Sequence, residues 1–238
     1  MKTIAYIPAR LQSTRFPQKI LQDLRGKPLF AWAYENALHA DLFDEVILLV
    51  DDPLTETLAK QRGYKVLMTS TRPQNGTQRI IEALENGAPI GEKIVNVQAD
   101  EPLLTKKIFE TLLSGGGDGS RIWTLKKKIT NQEELYSTNV VKVVTNVRGE
   151  ALYFSRQCIP FDREKRGGEV FKHVGLYVYT PQALLQLKDF AVSPLEQGEF
   201  LEQLTPLYHG IPIEVIQTDQ IVYGVDTLED LTRISLLI

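Results

Sequence analysis

The chain has 238 residues, of which 43% are hydrophobic and 24% charged, and carries a formal net charge of −3 at pH 7. These are ordinary globular values that exclude extensive disorder, and the acidic balance gives no field for non-specific binding to nucleic acid or a membrane surface. No apolar run approaches the ~18 residues of a membrane span, no signal-peptide pattern precedes the first apolar run, and the lone Cys158 excludes an intramolecular disulfide. A cytoplasmic protein is expected, with no nucleic-acid partner and no membrane insertion, and with Cys158 as a small buried apolar residue.

Residues 4–7, followed by Pro8-Ala9, read as a buried first strand of a parallel sheet. Directly after it, Arg10, Ser13, Thr14, Arg15 and Lys19 set cations and hydroxyls outside the strand's carboxyl end, where open α/β sheets bind ligands. Arginine offers forked planar donors and lysine a mobile point charge, so the loop suits a polyphosphate. Helical spacing over 29–38 predicts a crossover helix, 46–50 a second buried strand, 54–62 a helix after Asp51-Asp52-Pro53, and 65–68 a third strand. This β-α-β-α-β order predicts a doubly wound parallel sheet. The loop after the first strand lacks the glycine-rich fingerprint of a dinucleotide site.

The polar loop 69–79 feeds a helix over 80–84, with Thr77 at or near its N-cap and Asn75 and Gly76 small enough to let a ligand reach the backbone. Strand 94–97 ends in Gln98-Ala99-Asp100-Glu101-Pro102. An acid at the carboxyl end of a central parallel strand is costly unless a cation meets it, and a hard divalent ion with phosphate oxygens would do so. Residues 115–119 read as a flexible glycine loop, 122–125 as a strand, and Lys126-Lys127-Lys128 as a solvated strand end or edge. The pattern then turns antiparallel, with strands 140–145 and 151–155 around a turn at 146–149, a mixed-charge loop at 162–169, and a strand at 174–179. A single domain over 1–238 with a smaller lobe around 140–180 is the expectation. Residues 182–187 are expected to be helical, and a helix capped by Ser193 should carry Glu199, Glu202 and Gln203 in its later turns. Strands over 213–216 and 222–225 follow, then Asp226-Thr227 before a closing helix.

Loop cations, a glycine and hydroxyl loop, and the separated acids Asp100 and Asp226 together form a kit for moving a nucleotidyl group. On Ile7-Pro8-Ala9-Arg10, Ala151-Leu152-Tyr153-Phe154-Ser155-Arg156, Lys172-His173-Val174-Gly175-Leu176-Tyr177, Pro194-Leu195-Glu196 and Val225-Asp226-Thr227, essentially the whole chain resembles the CMP-Kdo synthetases, that is, the 3-deoxy-manno-octulosonate (Kdo) cytidylyltransferases. The resemblance implies an α/β fold with a mainly parallel, Rossmann-like nucleotidyltransferase sheet and a smaller antiparallel lobe. It also implies activation of Kdo by CTP with release of pyrophosphate for lipopolysaccharide assembly, Mg2+ as cofactor, and a homodimer. Arg10, Lys19, Asp100 and Asp226 match the family's catalytic set, with the two acids as magnesium ligands. Pro8, Ala9, Arg10, Ser13, Lys19, Asn75, Gly76, Thr77 and Asp100 match its nucleotide site. Gln98, Arg156, His173, Tyr177, Glu202 and Gln203 match its sugar-acid pocket. The chain departs from the family at Gln18 and Ala99, where glycine is usual, at Gln78, where glutamate is usual, and at Thr205, where arginine is usual. The same residues also suit a related acidic sugar, or a paralogue that binds nucleotide with little turnover.

Overall fold

In a computed structural model of the chain, strand β1 (Thr3–Ala9) lies at the heart of the first of two compact units, which comprises Met1–Glu110 and Val222–Ile238. The second unit is Thr111–Ile221. The structure describes residues 1–13, 16–116, 121–164 and 166–238, so Thr14 and Arg15 of the first loop, 117–120 of the glycine loop, and Lys165 lie outside the described residues. Among the described residues no helix is long and apolar enough to cross a membrane.

In the first unit, β1 leads through a 3-10 turn (Lys19–Leu21) and a short antiparallel pair, β2 (Asp23–Leu24) and β3 (Lys27–Pro28), into α1 (Leu29–His39). Then come β4 (Glu45–Val50), α2 (Pro53–Gln61), β5 (Val66–Met68), α3 (Gly76–Glu85), β6 (Lys93–Asn96) and α4 (Lys106–Leu113). The sheet runs β6-β1-β4-β5 with every pairing parallel. It forms because its strands are continuous apolar runs, as a sheet covered on both faces requires; Ile4, Ile7, Ile47, Leu48, Leu49 and Ile94 are all fully buried. Helix α2 begins where Asp52 accepts the Leu54 N–H and Pro53 occupies the first turn.

Two local expectations change in this unit, and a third holds. The N-cap of α3 is Asn75, whose side chain accepts the Gln78 N–H, and Thr77 already lies inside the helix. Asparagine satisfies the orphan donor from an extended backbone two residues earlier than Thr77 would. Residues 222–225 are not a strand; the Val225 N–H donates to the Asp100 carbonyl (3.0 Å) and the Val225 side chain is fully buried. The closing helix is α9 (Leu228–Ser235), as numbered after the second unit, and Thr227 and Asp230 form its capping box.

The second unit contains β7 (Ile122–Lys128), α5 (Gln132–Tyr136), β8 (Lys142–Thr145), β9 (Ala151–Ser155), β10 (Phe171–Tyr179), α6 (Pro181–Lys188), α7 (Pro194–Glu199), α8 (Leu204–Tyr208) and β11 (Ile213–Gln217). Strand β7 pairs with β11 in parallel and with β10 antiparallel, and β8 pairs antiparallel with both β10 and β9. Lys126–Lys128 therefore end an internal strand and not an edge: the Lys126 ammonium donates to Thr145 Oγ1 (2.7 Å) and lies over the Phe171 ring. Gly115 and Gly116 are close-packed, since a Cβ at either would come within 3.0 Å of the Trp123 ring. Helix α7 stops at Glu199 because Phe200 adopts a left-handed conformation, φ 54°, so Glu202 and Gln203 fall in the connection to α8. Cys158 is only half-buried.

Candidate active site

The first-unit group is built on strand ends. Ala9 closes β1 in the core, and Arg10 follows it into solvent, its Nη1 donating to the Gln74 carbonyl at 3.5 Å. Nine residues on, the chain turns through Gln18 at φ 51° and presents Lys19. Where the resemblance leads one to expect glycine the chain has Gln18, in the left-handed conformation that favours glycine. Ala99 needs no such conformation, because its φ is not in the left-handed region.

The Lys19 ammonium donates to Asp100 Oδ2 at 2.5 Å and to Asp226 Oδ1 at 3.1 Å. Two acids 126 positions apart in the numbering thus converge on one positive point. Asp226 is placed by local structure, since its N–H donates to Asp230 of the α9 capping box (3.1 Å) and its neighbour Val225 is bonded to Asp100. Burial works against the Lys19 charge, but Asp100 and then Asp226 outweigh it and lift its pKa. Glu101 next door behaves in the opposite way: burial, reinforced by Asp100 and only partly offset by Lys19, pushes its carboxyl up to about 8, so it is neutral at pH 7. Two acids against one ammonium leave room for a further positive charge, and oxygen donors of this kind suit a hard divalent cation. Among the described residues no cluster of three His, Cys, Asp or Glu side chains could hold a metal alone, so such an ion would draw its remaining ligands from phosphate and water.

The second loop of this unit closes on the same strand ends. A Cβ at Gly76 would come 3.1 Å from Asn96 Nδ2 and 3.3 Å from Pro8 Cγ, so any larger residue at the start of α3 would press on these side chains. Asn96 itself is fully buried, and neither of its amide atoms has a hydrogen-bond partner among the described residues. Beneath both loops lies a buried ion pair. Arg79 Nη2 donates to Asp51 Oδ2 (2.9 Å), its Nη1 reaches Thr69 Oγ1 (2.5 Å) and the Ser70 carbonyl (3.1 Å), and Asp51 Oδ1 accepts the Leu11 N–H (2.9 Å). Asp51, Arg79, Asn96 and Glu101 were not singled out from the sequence. The Asp-Asp-Pro and Gly-Thr-Gln-Arg runs mark where two of them stand, but only the fold pairs them. Gln98, also of this unit, sits half-buried at the turn that leads from β6 to Asp100.

The second unit gathers the other sugar-pocket candidates. Tyr177 is buried, and among the described residues neither its hydroxyl nor the buried Gln203 Nε2 has a hydrogen-bond partner. Burial raises the Tyr177 phenol far above its usual range, with Tyr179 and Glu202 adding to the effect. Orphaned buried polar atoms carry a desolvation cost that a polar ligand can remove. His173 packs edge-on against Phe154 (5.1 Å between centroids) and beside Tyr177 (5.3 Å), and desolvation holds its pKa down to about 3, so the imidazole is neutral. Arg156 is committed to the backbone: Nε donates to the Glu199 carbonyl (2.7 Å), Nη1 to Thr138 (3.0 Å) and Nη2 to Phe200 (3.3 Å). Its own N–H donates to the Glu199 carboxylate (2.9 Å). Three of the five guanidinium donors are thereby used.

Comparison with known proteins supports one assignment. A cytidylyltransferase family model matches residues 4–216. A 3-deoxy-manno-octulosonate cytidylyltransferase of Thermodesulfovibrio yellowstonii is 40% identical over 97% of this chain and 96% of its own length. One of Solibacter usitatus is 42% identical over 99% and 94%. Among solved structures, a CMP:2-keto-3-deoxy-manno-octonic acid synthetase complexed with CTP superposes with a TM-score of 0.92 at 35% identity, covering 100% of this chain and 98% of that one. An inositol-1-phosphate CTP transferase from T. maritima shares the fold, with a TM-score of 0.72 at 14% identity over 99% of this chain and 94% of that one. The chain belongs to the cytidylyltransferase family, among the 3-deoxy-manno-octulosonate cytidylyltransferases (CMP-Kdo synthetases).

Proposed function

We propose that the protein transfers the cytidylyl group of CTP to Kdo, giving CMP-Kdo and pyrophosphate, and so supplies activated Kdo for lipopolysaccharide assembly. The observation that carries this reading is the meeting of Lys19, Asp100 and Asp226 at the strand ends, in a chain 42% identical to a named Kdo cytidylyltransferase over 99% of its length. In this reading Arg10 and Lys19 hold the triphosphate, with Pro8, Ala9 and Ser13 beside it, and Asn75, Gly76 and Thr77 surround cytosine and ribose. Asp100 and Asp226 would hold Mg2+, which when bound supplies neutralisation of the phosphoryl oxygens. The anomeric hydroxyl of Kdo attacks the α-phosphorus in line, the bond to the β-phosphate oxygen breaks, and pyrophosphate leaves without a covalent enzyme intermediate. Arg10 and Lys19 stabilise the negative charge that builds on the α-phosphate and the leaving group.

Gln98, Arg156, His173, Tyr177, Glu202 and Gln203 are assigned to the sugar acid. The orphaned Tyr177 hydroxyl and Gln203 amide support this assignment, and a neutral His173 suits a hydroxyl better than a carboxylate. The remaining guanidinium donors of Arg156 are the cationic candidates for the Kdo carboxylate. We further read residues 1–238 as one catalytic domain with its sugar-binding lobe around 140–180, working as a cytoplasmic homodimer, as the family resemblance implies.

The test is pyrophosphate release from CTP with and without Kdo and Mg2+, and with a panel of related acidic sugars in place of Kdo. Asp100→Ala and Asp226→Ala should each lose at least about a hundredfold in turnover with unchanged circular dichroism. Retained turnover in either variant overturns the site assignment, and release with another sugar acid but not with Kdo overturns the substrate.

A further inference from the structure

Strand β10 is irregular beside His173. Its register against β7 shifts between Val174 and Tyr177, and the displaced carbonyls of Val174 and Leu176 both turn onto the hydroxyl of Thr124, at 3.0 and 2.7 Å. Thr124 lies in β7, fully buried, and the same oxygen stands 3.0 Å from His173 Nε2. A hydroxyl has one proton, while a carbonyl can only accept. Two carbonyls already compete for that proton, so the contact with Nε2 is satisfied only when the ring nitrogen is the donor. A neutral imidazole takes the tautomer its hydrogen bonds dictate.

We propose that Thr124 is a positioning residue for the sugar-acid site: its hydroxyl, saturated by the bulge carbonyls, fixes the His173 proton on Nε2 and leaves Nδ1 as a lone-pair acceptor for a sugar hydroxyl. The inference rests on the reading that His173 meets the sugar, but its first half concerns the ligand-free protein alone. Threonine here acts through the histidine and touches no reacting atom. The bulge is part of the device, because in a regular strand the carbonyls of residues 174 and 176 point the same way but stand about 7 Å apart, too far for both to reach one hydroxyl, and Thr124 would then have its proton free for the ring.

The protein has three histidines, His39, His173 and His209, so the ring of His173 can be assigned by comparison with His173→Gln. Long-range proton–nitrogen correlation on the nitrogen-15-labelled, ligand-free wild type at pH 7 is expected to show His173 protonated at Nε2 alone. Thr124→Val, which keeps the size and removes the hydroxyl, should redistribute that tautomer and raise the KM for Kdo about tenfold, the scale of one lost hydrogen bond in a buried site, with the KM for CTP unchanged. Thr124→Ser should restore both the tautomer and the KM. A wild-type ring protonated at Nδ1 overturns the proposal without any variant, as does a Thr124→Val protein with wild-type tautomer or wild-type KM for Kdo. If Thr124→Val does not fold, the wild-type tautomer and the serine variant decide. Absence of Kdo-dependent turnover in the wild type would instead strike at the functional reading, leaving the tautomer measurement to judge Thr124.

Discussion

A lysine ammonium clasped by two carboxylates sketches a cation site, and its cost explains its position. Burial works against the Lys19 charge, and Asp100 and Asp226, which face it, reverse that effect and favour the charged form. His173 has no such partner, and the consequence is a pH dependence that can be worked out. Its folded pKa of about 3 lies below that of a free imidazole, so between about pH 6.5 and 3 the unfolded chain binds a proton that the folded protein refuses. Stability contributed by the neutral ring is therefore present above pH 6.5 and is lost as the pH falls toward 3. By that linkage His173 should cost up to about 2 kcal/mol between pH 7 and pH 5, and urea unfolding of His173→Gln at the two pH values should show a correspondingly smaller acid loss than the wild type; equal losses would remove the argument. At this scale the sequence was most informative where chemistry alone distinguishes a residue. An aspartate ending an apolar run, or cations directly after one, stands out without knowledge of its neighbours. Thr124, inside Ile-Trp-Thr-Leu, and Asn96, inside Val-Asn-Val, do not, because a polar residue of modest size is unremarkable in a strand until its partners are known. Thr205 shows the converse. Its place was visible as a missing arginine, but only the structure shows it buried, accepting the Ser193 N–H (3.0 Å) and donating to Glu196.

Between elements, the Asp51–Arg79 pair joins the loop after β1, the loop after β4, and the first turns of α3. Arg79 is 2% and Asp51 7% exposed at the side chain, so solvent screens the pair little, and removing one partner leaves a buried charge without its counterion. Arg79→Met should therefore cost about 3–5 kcal/mol, whereas Asp51→Asn with Arg79→Met should recover part of that loss, since two neutral partners need no counter-charge. Unfolding free energies of both singles and the double complete the cycle, and strictly additive values would show that the pair does not couple. The β1-to-β5 alternation was legible because continuous apolar runs separated by amphipathic stretches admit few other folds. Two misreadings had physical causes. Residues 222–225 have strand composition, yet join no ladder, and are held by a backbone bond to Asp100 and by the buried Val225 side chain. The helix begun at Ser193 was carried too far, since nothing in Glu-Phe-Leu announces that Phe200 takes a left-handed conformation and ends it at Glu199.

Across the whole molecule, the first unit is assembled from two distant pieces of chain, Met1–Glu110 and Val222–Ile238, and the candidate metal ligands come one from each. Its carboxyl-terminal piece is held by a small core in which Val225, Leu231 and Ile234 meet Leu24 and Leu29, with Phe16, Trp32, Leu103 and Tyr223 packed around them. Asp226 directly follows Val225, so the packing of α9 fixes the distance between the two acids. The two tryptophans fall one in each unit, Trp32 in the first and Trp123 in the second, and this separates their fluorescence signals by substitution. In a Trp123→Phe background, where Trp32 alone reports, Ile234→Ala should lower stability by about 2–5 kcal/mol, because the removed side chain is fully buried and its neighbours collapse only in part. The same change should weaken CTP binding in the presence of Mg2+, measured below the unfolding transition, since a loosened α9 no longer holds Asp226 beside Asp100. A Trp32 transition left in place would mean that α9 packs on the unit without stabilising it. A shifted transition with unaltered CTP binding would mean that Asp226 is positioned by its capping-box bond to Asp230 and by the Val225–Asp100 bond, independently of the core beneath them.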